Sequence, residues 1–349
     1  MTTGRIEGDS VTAGVGAATG YVSRLSALLG QTVKNCGVSG YNVTSAHWSV
    51  ANPGGSPNYP IADWYGIALG INDERFWNTS ALIDCFGGAL ASEALWPCCV
   101  NKITASVGTG WTFTGSWSAA SVYFGFGKTG SAGAKIAGTA TGTALAFSAI
   151  RFANTAGQYT IKIDGTVYGP FSTQAVGAYV DTSYQYPHMT FLHLFHGLSS
   201  GAHAWEFEVA SGSATLEWVS GNTGAMKPTY IANVPYALSY PSGGSNSNVD
   251  ALNAKIADWV SRLSAAGFPV YLVDVQSITA MSDYTSADPY HPKDSWHSKA
   301  AQKWADTISN VSPPPPPTYS PAVIEMDVSG NFFGRLATDS FGVTRRQLN

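Results

Sequence analysis

Hydrophobic positions along the chain follow two patterns, one typical of helices and one typical of strands, and the first 99 residues contain both. Strands are predicted over Arg5–Glu7, Thr32–Asn35 and Trp64–Leu69, with a helix between the first two that ends at Gly30. The apolar face of this helix consists of Val22, Leu25, Leu28 and Leu29. This alternation of strand and helix is typical of an α/β domain.

Between residues 100 and 222 the sequence pattern changes to short runs of alternating apolar and polar residues, rich in Gly, Ser, Thr and aromatic residues. Examples are Trp111–Thr114, Ala144–Phe147 and Trp205–Val209. Asp164-Gly165 lies between two further runs and predicts a hairpin turn, because glycine accepts a positive φ. Many short strands at this spacing predict an inserted antiparallel β-sandwich, which we expect to be jelly-roll-like.

The alternation of predicted strands and helices returns over residues 223–312. Strands are predicted over Thr229–Pro235 and Val270–Val275, the second as a parallel strand buried on both faces. Helices are predicted over Val249–Ala266, which stops at Gly267, and over Ser295–Ile308. The apolar stripe of the first of these helices is Leu252, Ile256, Trp259, Val260 and Leu263. One α/β domain, formed by 1–99 and 223–312, is therefore predicted to be interrupted by a β-domain over 100–222.

The C-terminal segment, residues 313–349, is different again. Pro313–Pro317 predicts a semi-rigid polyproline II spacer. The remainder, Ala322–Asn349, is too short to build a core and is expected to dock elsewhere. A second copy of the chain, giving a homo-oligomer, is one candidate partner.

Composition narrows the classes of function. The 349 residues include 18 Lys and Arg against 22 Asp and Glu, a net charge of −4, and only 11% are charged. The absence of a basic run argues against a nucleic-acid partner. No apolar run is long enough to span a membrane, and the N-terminus shows no secretory signal.

The cysteines and histidines predict no metal site, and we expect no cofactor. Cys36, Cys85, Cys98 and Cys99 form no Cys-x-x-Cys pair, and no histidine stands at zinc-finger spacing. The spacing leaves open a disulfide from Cys85 to Cys98 or Cys99, and with it the redox compartment.

Candidate chemistry lies at the predicted strand ends, where ligands bind in open α/β sheets. Gly8-Asp9-Ser10 follows the first strand, so that Ser10 would lie near a helix N-terminus, where the helix dipole favours an oxyanion. Gly40 follows the second strand and Asn72 the third. Asp288-Pro289-Tyr290-His291-Pro292 precedes the last helix.

These four motifs, in this order, resemble the conserved blocks of the SGNH (GDSL-type) hydrolases. The resemblance covers about 1–80 and 225–310. It implies a three-layer, flavodoxin-like α/β fold with a parallel sheet. The chain departs from the family pattern at Glu7, where the position is usually apolar, and at Trp296, where the family often has glycine.

The family's roles imply a serine esterase. Ser10 would be the nucleophile, His291 the base that removes its proton, and Asp288 the group that orients the imidazole. The N–H groups of Ser10 and Gly40 and the side-chain amide of Asn72 would form the oxyanion hole. Glycine at position 40 would allow close approach of the backbone to the substrate.

A second Asp-x-x-His motif, Asp294-Ser295-Trp296-His297, competes with the first. The family pattern places proline directly after the catalytic histidine, which favours His291-Pro292 and makes Asp294 or Ser295 the helix N-cap. His297 falls on the apolar stripe of the last helix and is interpreted as a packing residue. The alternative pair, Asp294 and His297, stays open at the level of sequence.

Other motifs have simpler explanations. Gly127-Lys128-Thr129 lies among strands with no following helix and is interpreted as a β-turn rather than a phosphate loop. His188, His193 and His196 are interpreted as ordinary sandwich residues, Asp274 as a capping or loop residue, and Asp9 as structural. The tryptophans 111, 117, 205 and 218 could stack on sugars, although half or more should be core.

The substrate is inferred less directly. The insert resembles, in architecture, carbohydrate-binding-like β-domains found beside sugar O-acetyl esterases. We therefore expect O-deacetylation of a cell-surface or extracellular polysaccharide. An extracellular or virion-associated phage tail protein fits this expectation, and it would need release by lysis or by a signal absent from this sequence. A lipid or aryl esterase and a non-catalytic carbohydrate-binding tail module are the alternatives. No helix looks apolar enough all round to serve as a lipase lid.

Overall fold

The structure is a computed structural model that describes residues 2–43, 62–74, 80–99, 103–104, 110–120, 127–152, 157–174, 188–224, 226–240 and 243–311. The helices and strands of these residues are, in chain order, β1 (Thr3–Gly8), α1 (Ser10–Ala13), α2 (Tyr21–Leu29), β2 (Thr32–Gly37), β3 (Trp64–Ala68), α3 (Ser80–Cys98), β4 (Ile103–Thr104), β5 (Trp111–Thr114), β6 (Trp117–Ala120), β7 (Gly127–Ser131), β8 (Lys135–Thr141), β9 (Ala144–Phe152), β10 (Gln158–Ile163), β11 (Thr166–Ser172), β12 (His188–His196), β13 (Ala202–Ser211), β14 (Ser213–Gly221), β15 (Thr229–Ala232), α4 (Asn246–Ala265), β16 (Val270–Val273) and α5 (Asp294–Asn310). The C-terminal segment, with its predicted spacer and docking role, lies outside the described residues.

Two compact units account for the described residues. The first combines Met1–Cys98, Lys227–Ser264 and Pro269–Pro313, and the second combines Cys99–Met226 with Ala265–Phe268. The first unit is α/β and the second is built from antiparallel strands.

The first unit contains a five-stranded parallel sheet in the order β2-β1-β3-β15-β16. Numbered within the unit this is 2-1-3-4-5, the flavodoxin-like order, so the α/β class with a parallel sheet is confirmed. The order reverses between β1 and β3. The loops that follow these two strands therefore diverge at the carboxyl edge and leave a crevice there.

Helices cover both faces of this sheet. On one face α5 places the ring of Trp304 against Gly66 of β3, and the same ring stacks on Tyr21 of α2. On the other face α3 packs beside α4, because Gly87 leaves room for Trp259. The result is a three-layer unit in which both helix pairs bury their apolar sides.

Helix α3 has no counterpart in the sequence analysis, and it rules out the disulfide that the spacing left open. At a rise of about 1.5 Å per residue, Cys85 and Cys98 lie about 20 Å apart on one rod, far beyond the roughly 7 Å between Cα atoms that a disulfide permits. All four cysteines are buried and form no disulfide. The helix is also buried on nearly every described side, and it includes the polar residues Ser92 and Glu93. It is a core helix.

The sheet face toward α3 carries buried charge. Arg5 and Glu7 of β1 are 1% and 3% exposed and form an ion pair, with Nε of Arg5 2.6 Å from Oε1 of Glu7. Glu93 of α3 is also buried. Burial, and to a lesser extent the charge of Glu7, raises the pKa of Glu93 well above its ordinary value. The departure from the family pattern at Glu7 is thus balanced by a neighbour two residues away.

The second unit has two antiparallel sheets with a shared apolar core. Their orders are β11-β10-β13-β8-β5 and β12-β9-β14-β7-β6, with β4 paired to β14. The core includes Phe147, Tyr159, Trp205 and Phe207. The Asp164-Gly165 turn is confirmed, with φ of 48° and 86° at its two residues. The jelly-roll connectivity stays a prediction.

Two local expectations about burial were wrong. Leu28, predicted on the apolar face of α2, is 52% exposed, because that helix buries its first two turns and its C-terminal end meets solvent. Strand β16 is an edge strand rather than a central one, so Tyr271 and Leu272 are only partly buried. No helix within the described residues is long and apolar enough to cross a bilayer.

Candidate active site

Ser10 is the first residue of α1, directly beyond the carboxyl end of β1. Asp9 is the N-cap of this short helix, and its Oδ1 accepts a hydrogen bond from Val11 N at 2.9 Å. The structural role predicted for Asp9 is confirmed by this cap. Burial raises the pKa of Asp9 to about 7, against the opposing effect of hydrogen bonds from the Val11 and Thr12 backbone. The cap therefore holds Ser10 at the edge of the sheet with little exposed surface.

His291 lies within hydrogen-bond reach of Ser10. The distance from His291 Nε2 to Ser10 Oγ is 3.0 Å, and His291 Nδ1 lies 3.1 Å from both carboxylate oxygens of Asp288. Asp288 Oδ1 also accepts hydrogen bonds from the backbone N–H of Tyr290 and of His291. The structure thus brings Ser10 into one hydrogen-bonded chain with His291 and Asp288, which lie about 280 residues further along the sequence.

The charge of Asp288 suits this position. Partial burial of its carboxyl acts to raise its pKa, but the backbone hydrogen bond and the positive charge available from His291 outweigh burial and lower the pKa. Asp288 is therefore a carboxylate at neutral pH. A carboxylate holds the imidazole with Nδ1 protonated, which leaves Nε2 free to accept the proton of a hydroxyl.

Gly40 and Asn72 lie in neighbouring loops at the same edge of the sheet. Asn72 Nδ2 donates to the carbonyl oxygen of Tyr41 at 2.8 Å, and the Asp73 carboxylate accepts from Val43 N at 3.0 Å. These contacts bind the two loops to each other. Gly40 has a φ of 84°, a second reason for glycine besides close approach to a substrate.

Tyr290 is a residue of this site that the sequence analysis missed. Its hydroxyl donates to the carbonyl oxygen of Ile71, the residue before Asn72, while its ring meets that of His291 edge to face with centroids 5.5 Å apart. It thus links the loop of the imidazole to the loop of the amide. The only signal in the sequence is its position between Asp288 and His291, which by itself does not reveal the contact.

The competing pair, Asp294 and His297, lies in the first turn of α5 and makes different contacts. His297 is fully buried and its Nδ1 accepts from Tyr21 N at 3.1 Å, so it packs as predicted. Asp294 accepts hydrogen bonds from the loop before α2. The expectation that Asp294 or Ser295 caps the helix was wrong: the N-cap is Lys293 and no side chain caps it.

The remaining candidates have structural roles. Gly127-Lys128-Thr129 lies within β7, which pairs on both sides, so it is part of a strand and the interpretation as a β-turn was wrong. Asp274 accepts from Asn233 and from the backbone of Ser277, in the loop role predicted for it. His193 is buried against the hydroxyl of Tyr159. Three of the four tryptophans named above are buried, and Trp117 is partly exposed.

Within the described ranges, no three His, Cys, Asp or Glu side chains are grouped so that they could hold a metal ion.

No protein-family model and no curated protein matches the chain. Among solved structures, a two-domain esterase active on acetylated mannans is 12% identical, with 63% of this chain and 90% of that chain covered and a TM-score of 0.34. The carbohydrate acetylesterase Est24 from Sinorhizobium meliloti is 11% identical, with 88% and 99% covered and a TM-score of 0.44. An aryl esterase from M. smegmatis is 10% identical, with 89% and 100% covered and a TM-score of 0.43.

All three scores are low, and the fold is defined by the strand order of the first unit and by its motifs. Each of the four motifs stands at the carboxyl edge of the parallel sheet, in the order that the family resemblance implies. The first unit thus has the strand order and the motif placement that the resemblance to the SGNH hydrolases implies. In this unit the two strands that flank the reversal of strand order, β1 and β3, lead to Ser10 and Asn72 respectively.

Proposed function

We propose that the protein is a serine esterase that hydrolyses carboxylic esters through an acyl-enzyme. The observation that carries the proposal is the hydrogen-bonded chain from Ser10 Oγ through the His291 imidazole to the Asp288 carboxylate. A serine hydroxyl is a weak nucleophile until a neighbouring base removes its proton, and this arrangement supplies the base and the group that orients it.

The chemistry follows from the geometry. Ser10 Oγ attacks the ester carbonyl carbon as His291 Nε2 takes its proton. The tetrahedral intermediate collapses, and His291 returns the proton to the departing alcohol. Water then attacks the carbonyl carbon of the acyl-enzyme as His291 takes one of its protons. The second tetrahedral intermediate collapses, the free acid leaves, and His291 returns the proton to Ser10 Oγ. Asp288 stays ionised throughout and stabilises the imidazolium.

The oxyanion of each tetrahedral intermediate needs donors placed in advance. We assign this role to the N–H groups of Ser10 and Gly40 and to Nδ2 of Asn72. Two facts support the assignment: the loops of Gly40 and Asn72 are bonded to each other, and only one of the two Asn72 Nδ2 hydrogens is needed for the bond to Tyr41. Losing one such donor typically costs about 100- to 1000-fold in kcat.

For the substrate we propose an acetylated polysaccharide, cell-surface or extracellular, and a secreted or virion-borne location. The low charge of the chain, with 11% charged residues, fits a neutral glycan better than an ionic polymer. The accompanying antiparallel unit and its partly exposed Trp117 offer a surface of the type on which sugar rings stack.

The test measures acetate released from a panel of acetylated polysaccharides, before and after mild alkaline deacetylation, together with acetyl and long-chain nitrophenyl esters. We expect acetate release from at least one native glycan, and none once that glycan is deacetylated. A preference for long-chain esters would instead indicate a lipid or aryl esterase, and a complete lack of hydrolysis would indicate a binding module.

Ser10→Ala and His291→Ala test the assignment of the residues. Each should lower kcat by about a thousandfold or more, because neither variant can form the acyl-enzyme by the proposed route. Far-ultraviolet circular dichroism and the unfolding midpoint should be close to those of the wild type, since both side chains lie at the sheet edge. Substantial turnover by Ser10→Ala would overturn the nucleophile.

A further inference from the structure

Asp294 and His297 have no part in the proposed reaction, although they form the motif that competes with the catalytic pair. They stand three residues apart in the first turn of α5, so their side chains lie on one face of the helix. That face meets the loop that joins α1 to α2, residues 14–20, here called the glycine loop because of Gly14, Gly16 and Gly20.

The two side chains accept hydrogen bonds from the end of the glycine loop. Asp294 Oδ2 accepts from Ala18 N and its Oδ1 from Thr19 N, both at 3.2 Å, and His297 Nδ1 accepts from Tyr21 N at 3.1 Å. Tyr21 N belongs to the first turn of α2, where backbone N–H groups have no partner inside the helix, and Ala18 and Thr19 directly precede the N-cap. Its N-cap, Gly20, has no side chain to satisfy them.

The other side of the glycine loop contacts the catalytic residues. A Cβ added to Gly16 would lie 2.9 Å from the carbonyl oxygen of Pro292 and 3.0 Å from the Cβ of His291. Val15 N donates to the carbonyl oxygen of Ser10 at 3.0 Å. The loop therefore touches the nucleophile at one end and the back of the base in its middle.

We propose that Asp294 and His297 are positioning residues: by clamping the glycine loop they hold its backbone against His291 and so fix the imidazole relative to Ser10. The inference rests on the proposed esterase function. In this inference the second Asp-x-x-His motif affects the reaction only through the glycine loop and does not contact the substrate.

The clamp needs His297 in one protonation state. Nδ1 can accept from Tyr21 N only when it carries no proton, and full burial keeps the ring neutral by lowering its pKa to about 4. The ring also stacks on that of Tyr21, with centroids 6.1 Å apart. Packing and hydrogen bonding are thus two separable contributions of one side chain.

A matched pair of variants separates these contributions. His297→Asn keeps an acceptor near the place of Nδ1 but loses the ring, whereas His297→Phe keeps the ring and loses the acceptor. We expect kcat for an acetyl ester to fall roughly 10- to 100-fold in His297→Phe, with KM nearly unchanged, and to stay within about threefold of wild type in His297→Asn. Asp294→Ala should behave like His297→Phe.

Amide hydrogen exchange of the segment that contains residues 14–22 provides a second readout. Exchange should be faster in His297→Phe and Asp294→Ala than in the wild type, and close to the wild-type rate in His297→Asn. Gln302→Ala, at an exposed position of the same helix, is the control and should change neither kcat nor exchange.

Each outcome decides the inference. If His297→Phe is as active as His297→Asn or more so, packing is the whole role and the clamp is wrong. If both variants lose all activity while His291→Ala retains it, His297 is the base. A wild type without ester hydrolysis would overturn the proposed function and the inference with it. An active wild type with an equally active His297→Phe would overturn the inference alone, so the two failures are distinguishable.

Discussion

Two histidines six residues apart show how much the surroundings of a side chain decide. His291 and His297 each follow an aspartate by three residues, so the local pattern treats them alike. In the structure His291 is partly exposed and lies between Ser10 and Asp288, whereas His297 is fully buried beside Tyr21. The proline after His291 and the apolar stripe of α5 were the only sequence signals that separated them.

The buried state of His297 predicts a pH dependence of stability. The pKa is lowered to about 4 in the folded protein from an ordinary 6.5, so between these values the unfolded chain binds more protons. Stability therefore falls as the pH is lowered from 6.5 to 4 and this contribution is constant below. Its full size, on the order of 3 kcal/mol, follows from the two values.

Urea denaturation of the wild type and of His297→Asn across pH 4 to 7 measures this contribution. The difference in unfolding free energy should be largest near pH 7 and shrink toward pH 4, because only the wild type loses the stability that depends on a neutral His297. Asp9, with its pKa raised to about 7, acts in the opposite direction, but it is present in both proteins and cancels. A difference that does not vary with pH would contradict the prediction.

At the scale of elements, the segment between β16 and α5 contains two short 3-10 helices, Gln276–Ile278 and Met281–Asp283, and then the proposed catalytic aspartate and histidine. It is anchored by Asp283, whose carboxylate accepts from Ala280 N, Ser295 Oγ and Lys299 Nζ. The carbonyl oxygen of Asp283 accepts from Lys293 N at 2.7 Å. Asp283 therefore connects this loop to the start of α5.

Asp283→Ala should loosen this segment. Removing a buried acceptor from three donors is expected to lower the unfolding free energy by about 2 to 3 kcal/mol. It should also lower kcat, because Asp288 and His291 depend on the same loop. Urea denaturation and steady-state kinetics measure the two effects.

The control is Asp258→Ala, which removes partly exposed ion pairs with Lys255 and Arg262 on α4. Exposed pairs of this kind contribute about 1 kcal/mol or less. Equal losses in the two variants would show that Asp283 does not anchor the loop.

At the scale of the whole molecule, the parallel sheet explains why distant motifs meet. Every strand of the first unit's sheet runs in one direction, so the segments after β1, β2, β3 and β16 all emerge at one edge. The second unit is inserted between β3 and β15 in sequence, yet these two strands are neighbours in the sheet. The insertion thus leaves the edge that carries the four motifs continuous.

The same sheet buries the Arg5–Glu7 ion pair beneath α3, and this makes a strong prediction. Arg5→Met leaves the Glu7 carboxylate buried without its cation, which should cost about 3 to 5 kcal/mol of unfolding free energy. The double variant Arg5→Met and Glu7→Met should recover much of this loss, because well-packed apolar side chains often replace a buried pair without cost. Denaturant unfolding of both variants is the measurement, and a double variant no more stable than the single one would refute the argument.

The predictions that succeeded depend on local patterns. Helix α4 was found because its apolar positions repeat with a clear period and a glycine follows its end, and the Asp164-Gly165 turn was found because glycine accepts a positive φ. Helix α3 was missed because it is apolar on nearly all sides, which removes the amphipathic period by which helices are recognised. Leu28 was misplaced because the hydrophobic period identifies the apolar face of a helix, but not how much of that face the rest of the protein buries.

What the sequence by itself determined is the class of each unit and the identity of the four motifs, since turn chemistry and hydrophobic period act over a few residues. What only the tertiary structure decided is which histidine lies 3.0 Å from Ser10, that Tyr290 joins two loops, and that Asp294 and His297 hold the glycine loop. These depend on contacts between segments up to about 280 residues apart. Such contacts are set by strand order and packing, which no local pattern records.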